Sequence, residues 1–189
     1  MRNSVSRVAT LAVALLGSSA LAISLVSAQS PVMVGGAPML PTKNIIENAV
    51  NSKDHTTLVA AVKAAGLVET LSGPGPFTVF APTNGAFAKL PKGTVDDLLK
   101  PENKAKLTKI LTYHVVAANA MSAAITKMVK DDGGQHKVKT VSGNELIIKT
   151  AGGKITITDE SGRIATVTIA DVAQSNGVIH VIDTVLLPK

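Results

Sequence analysis

The chain has no cysteine and no tryptophan, one tyrosine and three phenylalanines in 189 residues. Without cysteine there is no disulfide framework, no thiol nucleophile and no lipid-anchored lipoprotein N-terminus. With so few aromatic rings, the platforms on which single-stranded nucleic acids stack are missing, and so are those that usually hold sugars. The Gly-x-Ser-x-Gly elbow of hydrolases and the His-Glu-x-x-His of zinc proteases do not occur, and no glycine-rich loop runs into Lys-Ser or Lys-Thr.

What is present begins with a leader. Arg2 and Arg7 form a basic start, an apolar stretch from Val8 runs to Val26 with a break at Gly17-Ser18-Ser19, and Val26-Ser27-Ala28 offers small residues for cleavage. This pattern predicts a signal peptide over residues 1–28, cut after Ala28, and a product secreted to the periplasm or outside the cell with no membrane span left. The leader holds two Arg and no acid, so the remainder carries 17 basic against 13 acidic groups, a net +4. All but Arg163 of those 17 are Lys scattered along the chain, which reads as a solvated surface. Export and the missing rings both argue against a nucleic-acid partner. No cofactor is implied, and about 160 residues can build one core without disulfides.

Residues 29–41 are rich in Pro and Gly and read as a tether or surface strap. Helical patterning then covers 44–52 and 54–65, the second with Asp54 as its cap and Gly66 at its end. A strand over Phe77–Ala81 meets a polar corner, Thr83-Asn84, that opens a further helix. Helices are predicted over 94–100, 102–112 and 122–130 (capped by Ser122), with a short strand over 113–117. From His136 the period changes to two, giving strands over 136–141, 145–150, 154–158, 164–169 and 178–187, joined by Gly143-Asn144 and Gly152-Gly153 turns. Helices first and strands last make an α+β domain. The final strand, opened by Asn176-Gly177, is apolar on both faces and therefore expected inside, which makes His180 and Asp183 polar groups in a core.

Four His invite a metal, yet no two of them lie within five positions of each other. His55 and His136 read as solvated; His114 and His180 sit on apolar strands, where hydrogen-bonded structure is the plainer account. Met33 and Met39 read as ordinary apolar contacts. A hydrolase built from His114, Asp183 and a serine such as Ser175 finds no support in the spacing. No catalytic residue, metal ligand or cofactor site is assigned.

Three segments stand out: Thr78–Pro91 (TVFAPTNGAFAKLP), Tyr113-His114-Val115-Val116, and Asn176–Pro188 (NGVIHVIDTVLLP). In order and wording they resemble the two homology blocks and intervening Tyr-His motif of the fasciclin domain family, over Thr42 to Pro188. The resemblance implies several helices packed on a β-wedge of two sheets, with a fasciclin domain over 42–189. It implies non-catalytic adhesion: protein–protein contact with a cell-surface or matrix protein, another copy of the chain, or a host, since bacterial members include proteins tied to host association. In vertebrate members the Tyr-His motif and its flanks are a proposed integrin-binding element, which transfers to Leu111, Tyr113, His114, Val115 and Val116. A second proposed element, an Asp-Ile pair, transfers to Asp171-Val172, although Ile169-Ala170 stands where the family has an acidic residue and Pro. A core hydrogen bond would explain Tyr113 and His114 equally well. Thr83, Asn84, Asn176, Gly177, His180 and Asp183 are read as structural. The alternatives are an envelope carbohydrate binder, disfavoured by the missing rings, and a small metal protein or hydrolase.

Overall fold

The computed structural model describes residues 31–189; the predicted signal peptide lies outside the described residues. The chain enters through a hairpin, β1 (Val32–Val34) and β2 (Ala37–Met39), followed by α1 (Ile45–Ala49), α2 (Thr56–Ala65) and α3 (Val68–Ser72). Next come β3 (Phe77–Pro82), α4 (Asn84–Ala88), α5 (Thr94–Leu98), α6 (Lys104–Tyr113), β4 (Val115–Val116) and α7 (Ser122–Asp131). Five strands finish it: β5 (Gln135–Lys139), β6 (Glu145–Ala151), β7 (Lys154–Thr158), β8 (Ile164–Gln174) and β9 (Gly177–Ile182). The β1–β2 hairpin aside, β3 and β4 lie among the helices and β5–β9 follow them, and these seven strands form one sheet of order β4-β3-β9-β8-β7-β6-β5, in an α+β arrangement.

Strand β8 gives the sheet its wedge form. Its first residues pair with β7 and its later ones with β9, with register shifts between Val167, Ile169 and Val172. Such bulges bend a strand, so one long strand serves two wings. In the first wing, β3 and β9 run parallel with Phe80 opposite His180. All six residues of β9 are buried, as its doubly apolar sequence requires. Val79, Ala81, Ile179 and Val181 point into the core built by α1, α2 and α6, whereas Phe80 and Ile182 point into the wedge. In the second wing the period of two is obeyed throughout: Leu146, Ile148, Ile155, Ile157, Ala165 and Val167 face inward, where Ile125 and Val129 of α7 cover them.

Several expectations are corrected. Over its described residues, 31–41, the Pro/Gly-rich segment is neither tether nor strap: Gly35 and Gly36 turn it into the hairpin, and Val34 and Met39 are buried in the helical core. Asp54 does not cap α2; it lies in a 3-10 turn, and the Thr57 amide donates instead to Asn84 Oδ1 at 3.0 Å. His55 is buried against Ser52 Oγ, not solvated; burial pushes its pKa down. Tyr113 ends α6 and leaves β4 only two residues. Ser122 is the first residue of α7, not its cap. Asp183 lies just past β9 and is 39% exposed at its side chain, so it is no core residue. By contrast Gly66 is left-handed at φ 73°, and Leu67 N–H returns to Val62 O, the Schellman ending read from sequence.

Thr83 caps its own helix through the Ala86 amide, whereas Asn84 reaches across to Thr57, Thr56 and Lys53. Replacing Asn84→Ala is therefore expected to uncap α2, a helix distant in sequence, and to cost about 1–2 kcal/mol in urea unfolding.

Candidate functional site

The residues singled out by sequence fall into two sets. One is a set of polar side chains that bond within the fold; the other is a set of apolar side chains buried beside them.

Tyr113 is fully buried at the end of α6. Its hydroxyl donates to Glu145 O at 3.0 Å and accepts from Glu160 N–H at 3.1 Å. One oxygen thus ties α6 to β6 and to the turn after β7. Burial pushes the phenol up to about 12, so it remains a donor at any physiological pH. His114 follows, and its tautomer is set by its partners. The Leu186 amide can only donate, so Nε2 accepts at 3.0 Å, and Nδ1 carries the proton given to Ile110 O at 2.8 Å. Burial drives its pKa down to about 4. His180 holds the opposite tautomer: Nδ1 accepts from Asp171 N–H, and Nε2 donates to Ala120 O at 2.8 Å. Its ring stacks on Phe80 with centroids 5.8 Å apart, and burial lowers its pKa as well. With both nitrogens of both rings committed to backbone, neither His is poised as a base or nucleophile partner, and the His114–Asp183–Ser175 grouping is not assembled.

The carry-over of contact residues is corrected by the same geometry. Leu111, Tyr113, His114, Val115, Val116 and Val172 are all buried; none offers its side chain to a partner while the fold is intact. Asp171 is half-buried, at a positive φ of 58°, and its carboxylate accepts from the Ser122 amide and hydroxyl. It caps α7 and so holds the helix that roofs the second wing. Asn176 accepts from Ile45 N–H and donates to Leu71 O and Gly73 O, joining α1, α3 and the start of β9. Asp183 accepts from Thr166 N–H at 2.9 Å and stands 3.9 Å from the Lys89 ammonium.

Three framework residues escaped the sequence reading. Asp159 accepts from Ser161, Arg163 and Leu187 amides, bracing a turn against the chain end. Thr78 holds the loop at Ala118 and Ala120, and Asn48 grips Leu40 and Gln174. An Asp heading a turn is a visible signal; the distant second partner in each case is not.

Above Tyr113 the two backbone groups it fixes form the wall of an open cleft of about 410 Å3, lined by Lys137, Asn144, Glu145, Ile147, Thr158, Asp159 and Glu160. The cleft ends in the outer face of the second wing, where every alternate side chain of β5–β8 meets solvent. Asn144 Nδ2 donates to both Glu160 oxygens at 3.0 Å, and this hydrogen bond, more than the Lys189 amide, keeps the Glu160 carboxyl below its ordinary range. Among the described residues no three His, Asp or Glu side chains gather as metal ligands, and no helix is long and apolar enough to cross a membrane.

Comparison with known proteins places these features in a family. The Fasciclin domain family model matches residues 53–188. Protein sll1483 of Synechocystis sp. is 53% identical over 144 residues, covering 76% of this chain and 73% of that one. Cell surface glycolipoprotein MPB83 of Mycobacterium bovis is 34% identical over 167 residues, covering 86% and 68%. The solved FAS1 domain pair of the insect cell adhesion molecule fasciclin I superposes with a TM-score of 0.69 at 18% identity, over 78% of this chain; the chain spans 52% of that structure.

Proposed function

From the premise that this chain belongs to the fasciclin domain family, we propose that it is an exported, non-catalytic adhesion module. It is released after Ala28 and contacts a macromolecule of the cell surface or surrounding matrix through the outer face of its second wing. The observation that carries this reading is the direction of the polar groups. Tyr113, His114, His180 and Asn176 turn their hydrogen bonds onto the chain's own backbone, while the second wing, which Tyr113 ties to α6, presents an uncovered face and a polar cleft. A reaction centre needs the reverse, an acid, base or nucleophile aimed at open space.

The relatives' names agree with the placement: one is a cell-surface protein, and the fold neighbour is a cell adhesion molecule.

The test is a binding isotherm of the purified chain against envelope extracts of its own and of host cells. Saturable capture that competes with free chain is expected. Linear uptake without saturation in every extract contradicts the proposal.

A further inference from the structure

The outer face of β5–β8 has an order that the sequence hides. Lys137 pairs with Ile147, so Lys149 stands diagonal to Lys137; Lys149 pairs with Thr156, so Lys154 stands diagonal to Lys149. Each step moves two residues toward the same end of the sheet. Diagonal neighbours on one face lie about 7–8 Å apart, so the register sets the three lysines in an oblique row across three strands. Beside the row, Thr156 is paired with Thr166, with Thr158 next along β7, so hydroxyl oxygens flank the charges; that of Thr156 donates to Lys149 O at 3.4 Å.

Charge decides what this row fits. Among the described residues Lys139, Lys149 and Lys154 make no ion pair, and Lys137 has only Glu145 at 3.5 Å. Of the other acids near the face, Asp159 and Glu160 lie at the cleft end, where backbone amides and Asn144 engage them, and Asp131 and Asp132, before β5, are taken by Lys127 and His136. Lys149 and Lys154 lie toward the opposite end. No aromatic ring occurs on the face, so a neutral sugar has nothing to stack on, and bases have neither rings nor arginines to meet. We propose that the Lys137–Lys149–Lys154 row is a track for a linear anionic polysaccharide, a polymer carrying a carboxylate or sulfate on successive sugars. This names a partner class for the adhesion module and rests on that reading. The Lys ammoniums meet the acid groups, and the threonine hydroxyls meet the sugar hydroxyls.

The purified chain is tested by surface binding to alginate and to dextran sulfate, with neutral dextran and duplex DNA alongside. Saturable binding to the two acidic polymers is expected, falling steeply with salt because the charges are exposed. The triple variant K137Q/K149Q/K154Q is expected to bind roughly tenfold more weakly, about two- to threefold per lysine. The triple K63Q/K104Q/K106Q removes the same charge from exposed positions on α2 and the first turn of α6; it is expected to bind as the parent does. Unchanged thermal midpoints in both triples show that the fold is intact. Equal weakening by both triples, DNA binding as tight as alginate, or no binding to either acidic polymer overturns the inference. If the acidic polymers fail while envelope extracts are still captured saturably, the track falls and the adhesion module stands.

Discussion

Replacing Gly177 with alanine is expected to abolish the folded state. Gly177 sits opposite Phe77 in the parallel β3–β9 ladder, and a Cβ there would lie 2.0 Å from Phe77 O and 2.8 Å from Phe77 C. These are backbone atoms at the start of β3, so no side-chain rotation relieves the clash. The two strands would have to part where Asn176 O also receives the Phe77 amide at 3.1 Å. Such overpacking in a rigid core belongs to the rare class that costs more than about 4 kcal/mol. Gly152→Ala is the comparison: nothing stands within 4 Å of it, and only its φ of 56° resists the change, so about 1 kcal/mol is expected. Urea unfolding of both variants checks this, and a Gly177→Ala protein with the parent's midpoint refutes it.

Acid should weaken the fold well before carboxylates titrate. His114 in the folded chain stays neutral, with its one ring proton on Nδ1, down to about 4 against an ordinary 6.5, first because burial penalises the charge. Between those values the unfolded chain binds a proton that the folded chain refuses, so stability falls as pH drops through that window and levels off below it. The shift corresponds to roughly 3 kcal/mol. His180 and His55 are lowered by burial too and act with the same sign. The physical reason is plain at His114: a charged ring would present an N–H to the Leu186 amide, its present donor. The urea midpoint is expected to decline from pH 7 to pH 4. His114→Gln, which can still accept and donate but does not titrate, is expected to show a shallower decline. A flat parent profile contradicts the assignment.

How far the sequence carries depends on the range of the interaction. Strand positions in the second half were readable because period-two alternation is written locally: β7 falls at Lys154–Thr158 as expected. The Gly66 ending and the Thr83 cap are local for the same reason. Misreadings came where a side chain bonds far along the chain. Asp54 is the nearer cap for α2, but Asn84 is the one that arrives in space. Ser122 has the right type for a cap, yet Asp171 takes that role from 49 residues away. His55 heads a helix and looks exposed, but the hairpin that buries Val34 and Met39 closes over that end. At the candidate site, residue type identified Tyr113 and His114 correctly as special. It allowed a core hydrogen bond for both but could not name the partners, because Glu145, Glu160 and Leu186 are brought to them only by the fold. The lysine row was hidden likewise: Lys137, Lys149 and Lys154 align only when the strand register is known.

One paired measurement bears most directly on the division between an interior that braces and a surface that binds. Tyr113→Phe and K137Q/K149Q/K154Q are each followed by thermal unfolding and by binding to alginate at a temperature where both are folded. Tyr113→Phe leaves Glu145 O and Glu160 N–H without their shared partner and is expected to lower stability by about 1–3 kcal/mol, with alginate bound as by the parent. The lysine triple is expected to keep its midpoint and lose its binding. The crossed result, a stable Tyr113→Phe chain that no longer binds beside a lysine triple that binds normally, would contradict the account.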